Sequence, residues 1–149
     1  MKTIISNDIK KAMKARQTAR LSTLRMILAE LQHKEKEKGI AVTDETAYQI
    51  LQSMVRKRKE AIEQFRKGAR EDLAEKEEQE IRIIETYLPE QLSEDQIRQH
   101  ALAVISELGA SGPRDMGKVM GVLVKKLSGT ADGGTISRIV REELQNLQT

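Results

Sequence analysis

The chain has 149 residues and a mass of 16.8 kDa, room for one domain or two small ones. Hydrophobic residues make up 38% and charged residues 33%, with one Phe, two Tyr and no Trp, so any core must be assembled from Leu, Ile, Val, Met and Ala. The lack of Cys excludes disulfides, thiolate metal sites and thiol nucleophiles; no run approaches the roughly 18 apolar residues of a membrane span, and with no apolar leader in "MKTIISNDIKKAMKARQ" a soluble cytoplasmic protein is expected.

The net charge of +3 conceals segregation. From Lys10 to Arg25 the chain carries six cations (Lys10, Lys11, Lys14, Arg16, Arg20 and Arg25) and no acid. From Glu71 to Glu90 it carries eight acids against Lys76 and Arg82. Blocks of this kind either steer a polyanion toward one face or form solvated helix surfaces that pair with each other.

Along the chain, apolar residues recur three and four apart and strict alternation is absent, which predicts an all-α protein. Leu21, Leu24, Leu28 and Leu31 form the first stripe. The segment from Asp44 to Lys67 carries Ile50, Leu51, Met54, Val55, Ala61, Ile62 and Phe65, and as a helix would reach about 36 Å. Leu73, Ile81, Ile84 and Leu88 form a third stripe, with Asp72 and Glu75 spaced as a capping box near its start. Gly39, Gly68, Gly109 and Gly129 each follow a periodic segment, where a left-handed residue closes a helix.

Pro89 cannot lie inside a helix, so "PEQLS" is a predicted hinge. It separates an N-terminal helical domain, residues 1–90, read as an elongated hairpin of helices, from a C-terminal domain, residues 91–149, read as three short helices around a small core. In the second domain Ser93 and Gln96 form a capping box, with Leu92 and Ile97 at the staple positions. Three stripes follow: Ile97, Ala101, Val104, Ile105 and Leu108; Val119, Leu123 and Leu127; Ile136, Ile139, Val140, Leu144 and Leu147.

Between the first two of these stripes lies "GPRDMGKV", one residue short of a nucleotide-binding loop. Such a loop needs a strand before it and a hydroxyl after its lysine. Here a capped helix precedes it and Val119 replaces the hydroxyl, so the stretch is read as a helix start with Pro113 at the first position and Asp115 in the first turn. Gly117 and Gly121 then fall on one helical face, each costing about 0.8–1.0 kcal/mol relative to alanine. That cost calls for compensation, either close packing within a small bundle or close approach of an RNA backbone or a partner helix. "SGTADGGT" reads as a turn with Asp132 or Thr135 as the next N-cap. Lys118, Lys125, Lys126, Arg138 and Arg141 could share a rim, although exposed cations are commonly just solubilising.

Motifs for chemistry are missing. His33 and His100 are isolated and read as surface or boundary residues, and neither G-x-S-x-G nor H-E-x-x-H occurs. The glutamates of "EDLAEKEEQE" read as an exposed helical face. No catalytic residue, metal site or cofactor is expected.

Over essentially its whole length, "DMGKVMG" and "ADGG" included, the chain resembles the YqeY proteins. About its last 60 residues are also similar to the tail of the B subunit of the tRNA-dependent glutamine amidotransferases. Gly117, Gly121, Lys125, Gly129, Ala131 and Asp132 fall where that tail has its own glycines, lysine and small-residue turn, while Ser128 and Thr130 stand where lysines are common. The resemblance implies a helical tail that touches tRNA, with glutamine hydrolysis and transamidation belonging to other domains and subunits. The expected function is therefore a non-catalytic helical module, either tRNA-binding or an accessory protein like those of the tRNA amidotransferases. Its nucleic-acid contacts would come from Lys118, Lys125, Lys126, Arg138 and Arg141 with Lys10, Lys11 and Lys14, and its close-approach positions would be Gly117, Gly121 and Gly129. With three aromatics in the chain, such binding would be mostly electrostatic. The alternatives are an adaptor for a protein partner in translation or tRNA charging, and a component of a carbon–nitrogen ligase that uses glutamine as amide donor.

Overall fold

The structure is a computed structural model that describes residues 1–148. Seven α-helices account for most of them: α1 (Lys2–Lys14), α2 (Thr18–Lys38), α3 (Asp44–Lys67), α4 (Glu71–Glu85), α5 (Glu94–Leu108), α6 (Met116–Lys126) and α7 (Gly133–Asn146). A 3-10 turn, Pro113–Asp115, leads into α6, and no strand occurs among the described residues, so the protein is all-α. It divides into two compact units, Met1–Pro89 and Glu90–Thr149.

In the first unit α1 packs on α2 and α3 on α4, while α2 lies against both α3 and α4. Ile5, Leu24, Ile27, Leu31, Leu51 and Ile84 are fully buried where they meet. The stripe on α2 is rotated from the expected one. Thr23, Leu24, Ile27 and Leu31 are buried, whereas Leu21 and Leu28 are only half-buried at its edge. Thr23 is accommodated because its hydroxyl donates to the Ala19 carbonyl, 3.2 Å away.

Two helix ends depart from the glycine signals. Gly39 and Gly109 are left-handed as expected, with φ 70° and 63°. Gly68, at φ −89°, is not; the left-handed residue is Ala69, at φ 57°. The Arg70 amide donates to the Phe65 carbonyl (2.8 Å) and the Ala69 amide to that of Arg66 (3.1 Å), so the closing turn sits one residue later than the glycine suggests. The same closure separates α1 from α2 with no glycine at all: Arg16 is left-handed at φ 55°, and Gln17 donates to Ala12 over 3.0 Å. The expected box at Asp72 and Glu75 does not form, because α4 starts at Glu71 and the Asp72 carboxylate is held by the Arg70 guanidinium at 3.2 Å.

Ion pairs join α3 to α4. Arg58 Nε lies 3.0 Å from Glu80 Oε2 and 3.8 Å from Glu77. Burial, then the neighbouring Glu80 charge, raises the Glu77 carboxyl above its usual range. Arg66 pairs with Glu71 at 3.3 Å and also with Glu78. Beyond α4, the Tyr87 hydroxyl donates to Asp8 Oδ2 at 2.6 Å and ties the end of the unit to α1. Burial, reinforced by that carboxylate, pushes the phenol up to about 12.

In the second unit α5, α6 and α7 pack pairwise around Val104, Val119, Leu123, Ile136, Ile139 and Leu144. The Ser93–Gln96 capping box forms, with Ser93 Oγ accepting from the Gln96 amide at 3.2 Å and Gln96 Oε1 accepting from the Ser93 amide at 2.9 Å. Asp132, not Thr135, caps α7, accepting from the Thr135 amide at 3.2 Å. Leu108 and Leu147, expected in the core, are exposed, one at the last position of α5 and the other just past α7. Part of the predicted hinge is fixed: Gln91 Nε2 donates to the Gly129 carbonyl (2.7 Å) and the Leu92 amide to the Thr130 carbonyl (2.8 Å).

Replacing Tyr87 by Phe removes a bond to a carboxylate and is expected to lower stability by about 1–2 kcal/mol in chemical denaturation. Because the folded state raises this phenol, its contribution is complete below pH about 10 and is lost as pH rises toward 12; Tyr87→Phe should lack that decline. Ala69→Gly removes a left-handed alanine and is expected to raise stability by about 0.5–1 kcal/mol in the same measurement, after allowance for the more flexible unfolded chain.

Candidate nucleic-acid interface

The stretch that precedes α6 closes on itself. Gly112 stands before Pro113, the first residue of the 3-10 turn, and the Asp115 carboxylate accepts from the amides of Ser111 (2.8 Å) and Gly112 (3.4 Å). The Ser111 bond first, helped by that from Gly112, holds this carboxyl below its usual range. Amides that a phosphate would need are thus occupied by the chain's own carboxylate. The segment starts a helix, as its residues predict.

Helix α6 buries Val119 and Leu123. On the opposite face Gly117, Lys118, Gly121, Val122 and Lys125 are exposed, and within Met116–Lys126 there are three lysines and no acid. Lys118 and Lys125, seven residues apart, project from nearly the same side about 10 Å apart along the axis. Lys126 is exposed too, but stands about 100° round the helix from Lys125. The glycines have no packing role in the bundle: a β-carbon at Gly117 or Gly121 would meet nothing within 4 Å. Close packing, the plainer of the two explanations for this pair, is therefore corrected. Gly129 is different, buried in its own turn at φ 77° with its carbonyl taken by Gln91.

The arginines of α7 do not behave alike. Arg138 pairs with Glu94 and, at 3.0 Å, with Glu142. Arg98 reaches Glu142 at 2.8 Å and also Glu143, so α5 and α7 are laced together. Arg98 first, then Arg138, holds the Glu142 carboxyl below its usual range. Arg138 is thus engaged inside the fold, while Arg141 is exposed and forms no ion pair among the described residues. Between Glu90 and Thr149 there are seven Lys and Arg against eight Asp and Glu. With no net positive charge, the positive potential of this unit is local, on α6 and around Arg114 and Arg141.

In the first unit Lys10, Lys11 and Lys14 are exposed and unpaired among the described residues. Lys11 and Lys14 lie in the last turn of α1, where cations suit the negative end of the helix dipole. The two opposite charge blocks do not neutralise each other, since the acids of α4 that form ion pairs are held by Arg58, Arg66 and Arg70.

No motif in the sequence marks a groove of about 500 Å³ between α2 and α3, lined by Met26, Ile50 and Met54 together with His33, Lys34 and Lys57. His33 is exposed and His100 half-buried; among the described residues no three His, Asp or Glu side chains gather as metal ligands. No helix among them is long and apolar enough to cross a membrane.

Two helical units, with arginine–carboxylate lacing between helices and lysines left outside it, define a small charged α-helical protein. The chain belongs to the YqeY family: the family described as "Yqey-like protein" matches residues 2–144. Among its relatives, an uncharacterized protein of Schizosaccharomyces pombe is 40% identical over 93 residues, 62% of this chain and 76% of that one. The "altered inheritance of mitochondria protein 41, mitochondrial" of Pyrenophora tritici-repentis is 30% identical over 138 residues, 91% of this chain and 76% of that one. The protein of the same name in Kluyveromyces lactis is 34% identical over 113 residues, 73% of this chain and 60% of that one. These names correct the cytoplasmic expectation, since they describe mitochondrial proteins. That expectation rested on the lack of an apolar leader, which bears on secretion; mitochondrial targeting segments are amphipathic, basic and poor in acids.

Because nothing opposes a side chain at either position, Gly117→Ala and Gly121→Ala are each expected to raise stability by about 0.8–1.0 kcal/mol, read by thermal or chemical unfolding. A loss of stability would mean that the glycines are packed after all.

Proposed function

We propose that the chain is a non-catalytic RNA-binding module that holds the phosphate backbone of a tRNA against α6. One observation carries this reading: the two glycines of α6 bare the helix backbone to solvent beside Lys118 and Lys125, at a cost in helix propensity that no contact among the described residues offsets. A sugar-phosphate strand can approach such a face closely, with two ammonium groups alongside to meet its charges. Lysine suits this task as a mobile point charge that needs no fixed geometry. The resemblance of the last third of the chain to the amidotransferase tail supports the same reading. Of the expected contacts, Lys118 and Lys125 lead, Lys126 and Arg141 flank, and Arg138, committed to Glu94 and Glu142, contributes least.

A gel-shift titration with tRNA tests this. Affinity should fall steeply with salt, the slope of log K against log salt being about one unit for each phosphate neutralised. Lys118→Glu, Lys125→Glu and Lys126→Glu together should weaken binding at least about tenfold, and Gly121→Ala should weaken it several-fold while making the protein more stable. Equal binding by wild type and variants would remove α6 from consideration.

A partner helix is the second reading, favoured by Val122, which is 42% exposed beside the glycine pair. It calls for a pull-down that survives nuclease and high salt. The family association with glutamine-dependent amide transfer has no supporting residues here, and such activity in the purified chain would overturn the ranking.

A further inference from the structure

We infer that the elbow between α1 and α2 is a second polyanion site, one that takes the phosphate backbone of helical RNA on Lys10, Lys11, Lys14 and Arg16. It lies in the first unit and stands or falls independently of the reading for α6.

The first support is that the charge here is not cancelled. From Lys10 to Arg25 there are six cations and no acid. Lys10, Lys11, Lys14, Arg16 and Arg25 are exposed, and none forms an ion pair among the described residues; Arg20 is turned to the Tyr87 hydroxyl. The one acid of α1, Asp8, accepts from Tyr87. The acidic block of α4 gives its ion pairs to Arg58, Arg66 and Arg70 and not to the elbow. A cluster of unopposed cations on one surface produces a field that attracts polyanions.

The second support is arrangement. Lys10 and Lys14 are one turn apart on the face opposite Ile5 and Ala12, about 6 Å along the axis, with Lys11 beside them. Arg16 extends the row past the helix end. Its backbone is left-handed, a conformation that costs a residue with a β-carbon about 1 kcal/mol and that glycine adopts freely. Ala69 closes α3 in the same conformation with no long side chain, so the turn itself does not call for arginine. Retaining a cation there, where glycine would be more stable, adds a fourth positive group to the tip of an acid-free cluster.

The third support selects the ligand. Between Lys10 and Arg25 there is no aromatic residue, so unpaired bases have nothing to stack on and a single strand gains little over a duplex. Met13 is the one large apolar side chain of the elbow that is exposed, too little apolar surface to insert into a lipid layer. A regular row of phosphates needs only spaced cations, and those are what the elbow presents.

The test uses the full chain and a short RNA duplex, followed by fluorescence anisotropy across a salt series. Lys10→Gln, Lys11→Gln and Lys14→Gln together should weaken duplex binding at least about tenfold and flatten the salt slope by about two to three units. Arg16→Gly and Ala69→Gly should both raise the melting temperature, but only Arg16→Gly should weaken binding, by about threefold, the loss of one phosphate contact. The elbow effects should persist when Lys118, Lys125 and Lys126 are all changed to Glu, which separates this site from that on α6. The inference is overturned if wild type does not bind the duplex, if the elbow variants bind it as wild type does, or if they lose affinity only for vesicles containing phosphatidylserine.

Discussion

Each unit of this protein depends on arginine bridging carboxylates between neighbouring helices. Arg58 and Arg66 on α3 take glutamates of α4, and Arg98 on α5 and Arg138 on α7 take Glu94, Glu142 and Glu143. A guanidinium is planar and carries five donors, so one side chain can serve two carboxylates at once. The exposed pairs among them, such as Arg66 with Glu78, individually contribute at most about 1 kcal/mol. Their larger consequence is electrostatic: the acids that make these pairs are answered within the hairpins that carry them. Lysines left outside these pairs include Lys10, Lys11 and Lys14 on α1 and those of α6, which form no ion pair among the described residues.

Against this background three local choices run counter to stability. Gly117 and Gly121 sit in an exposed helix with nothing near them, and Arg16 occupies a conformation better suited to glycine. A sequence under pressure only to fold would hold alanine at the first two and glycine at the third. Departures of this sort gather at functional surfaces, where local rules yield to a ligand's needs. Here all three lie beside unpaired lysines.

Much of the architecture was legible because it depends on local signals. The Ser93–Gln96 box, Pro113 at the head of its turn, and the left-handed Gly39 and Gly109 are each decided within four or five residues. The elbow after α1 was not legible, because its left-handed residue is an arginine and neither glycine nor proline marks it. The closing turn of α3 slipped by one residue for the same reason. The charge blocks could be read, but not their partners: whether the acids near Glu77 would meet the lysines near Lys11 or the arginines of α3 depends on which helices pack together. Likewise the glycine spacing on α6 was plain, while the emptiness around it depends on how the three-helix unit closes.

Membership of the YqeY family fixes the lineage, and the proposed role rests on the lysine faces of α1 and α6. The most direct measurement is amine-reactive footprinting of the full chain with and without tRNA at low salt. Protection of Lys10, Lys11, Lys14, Lys118 and Lys125, with Lys36, Lys38 and Lys57 left as reactive as before, is the predicted result. Unchanged reactivity at both faces while RNA is bound elsewhere would contradict the account.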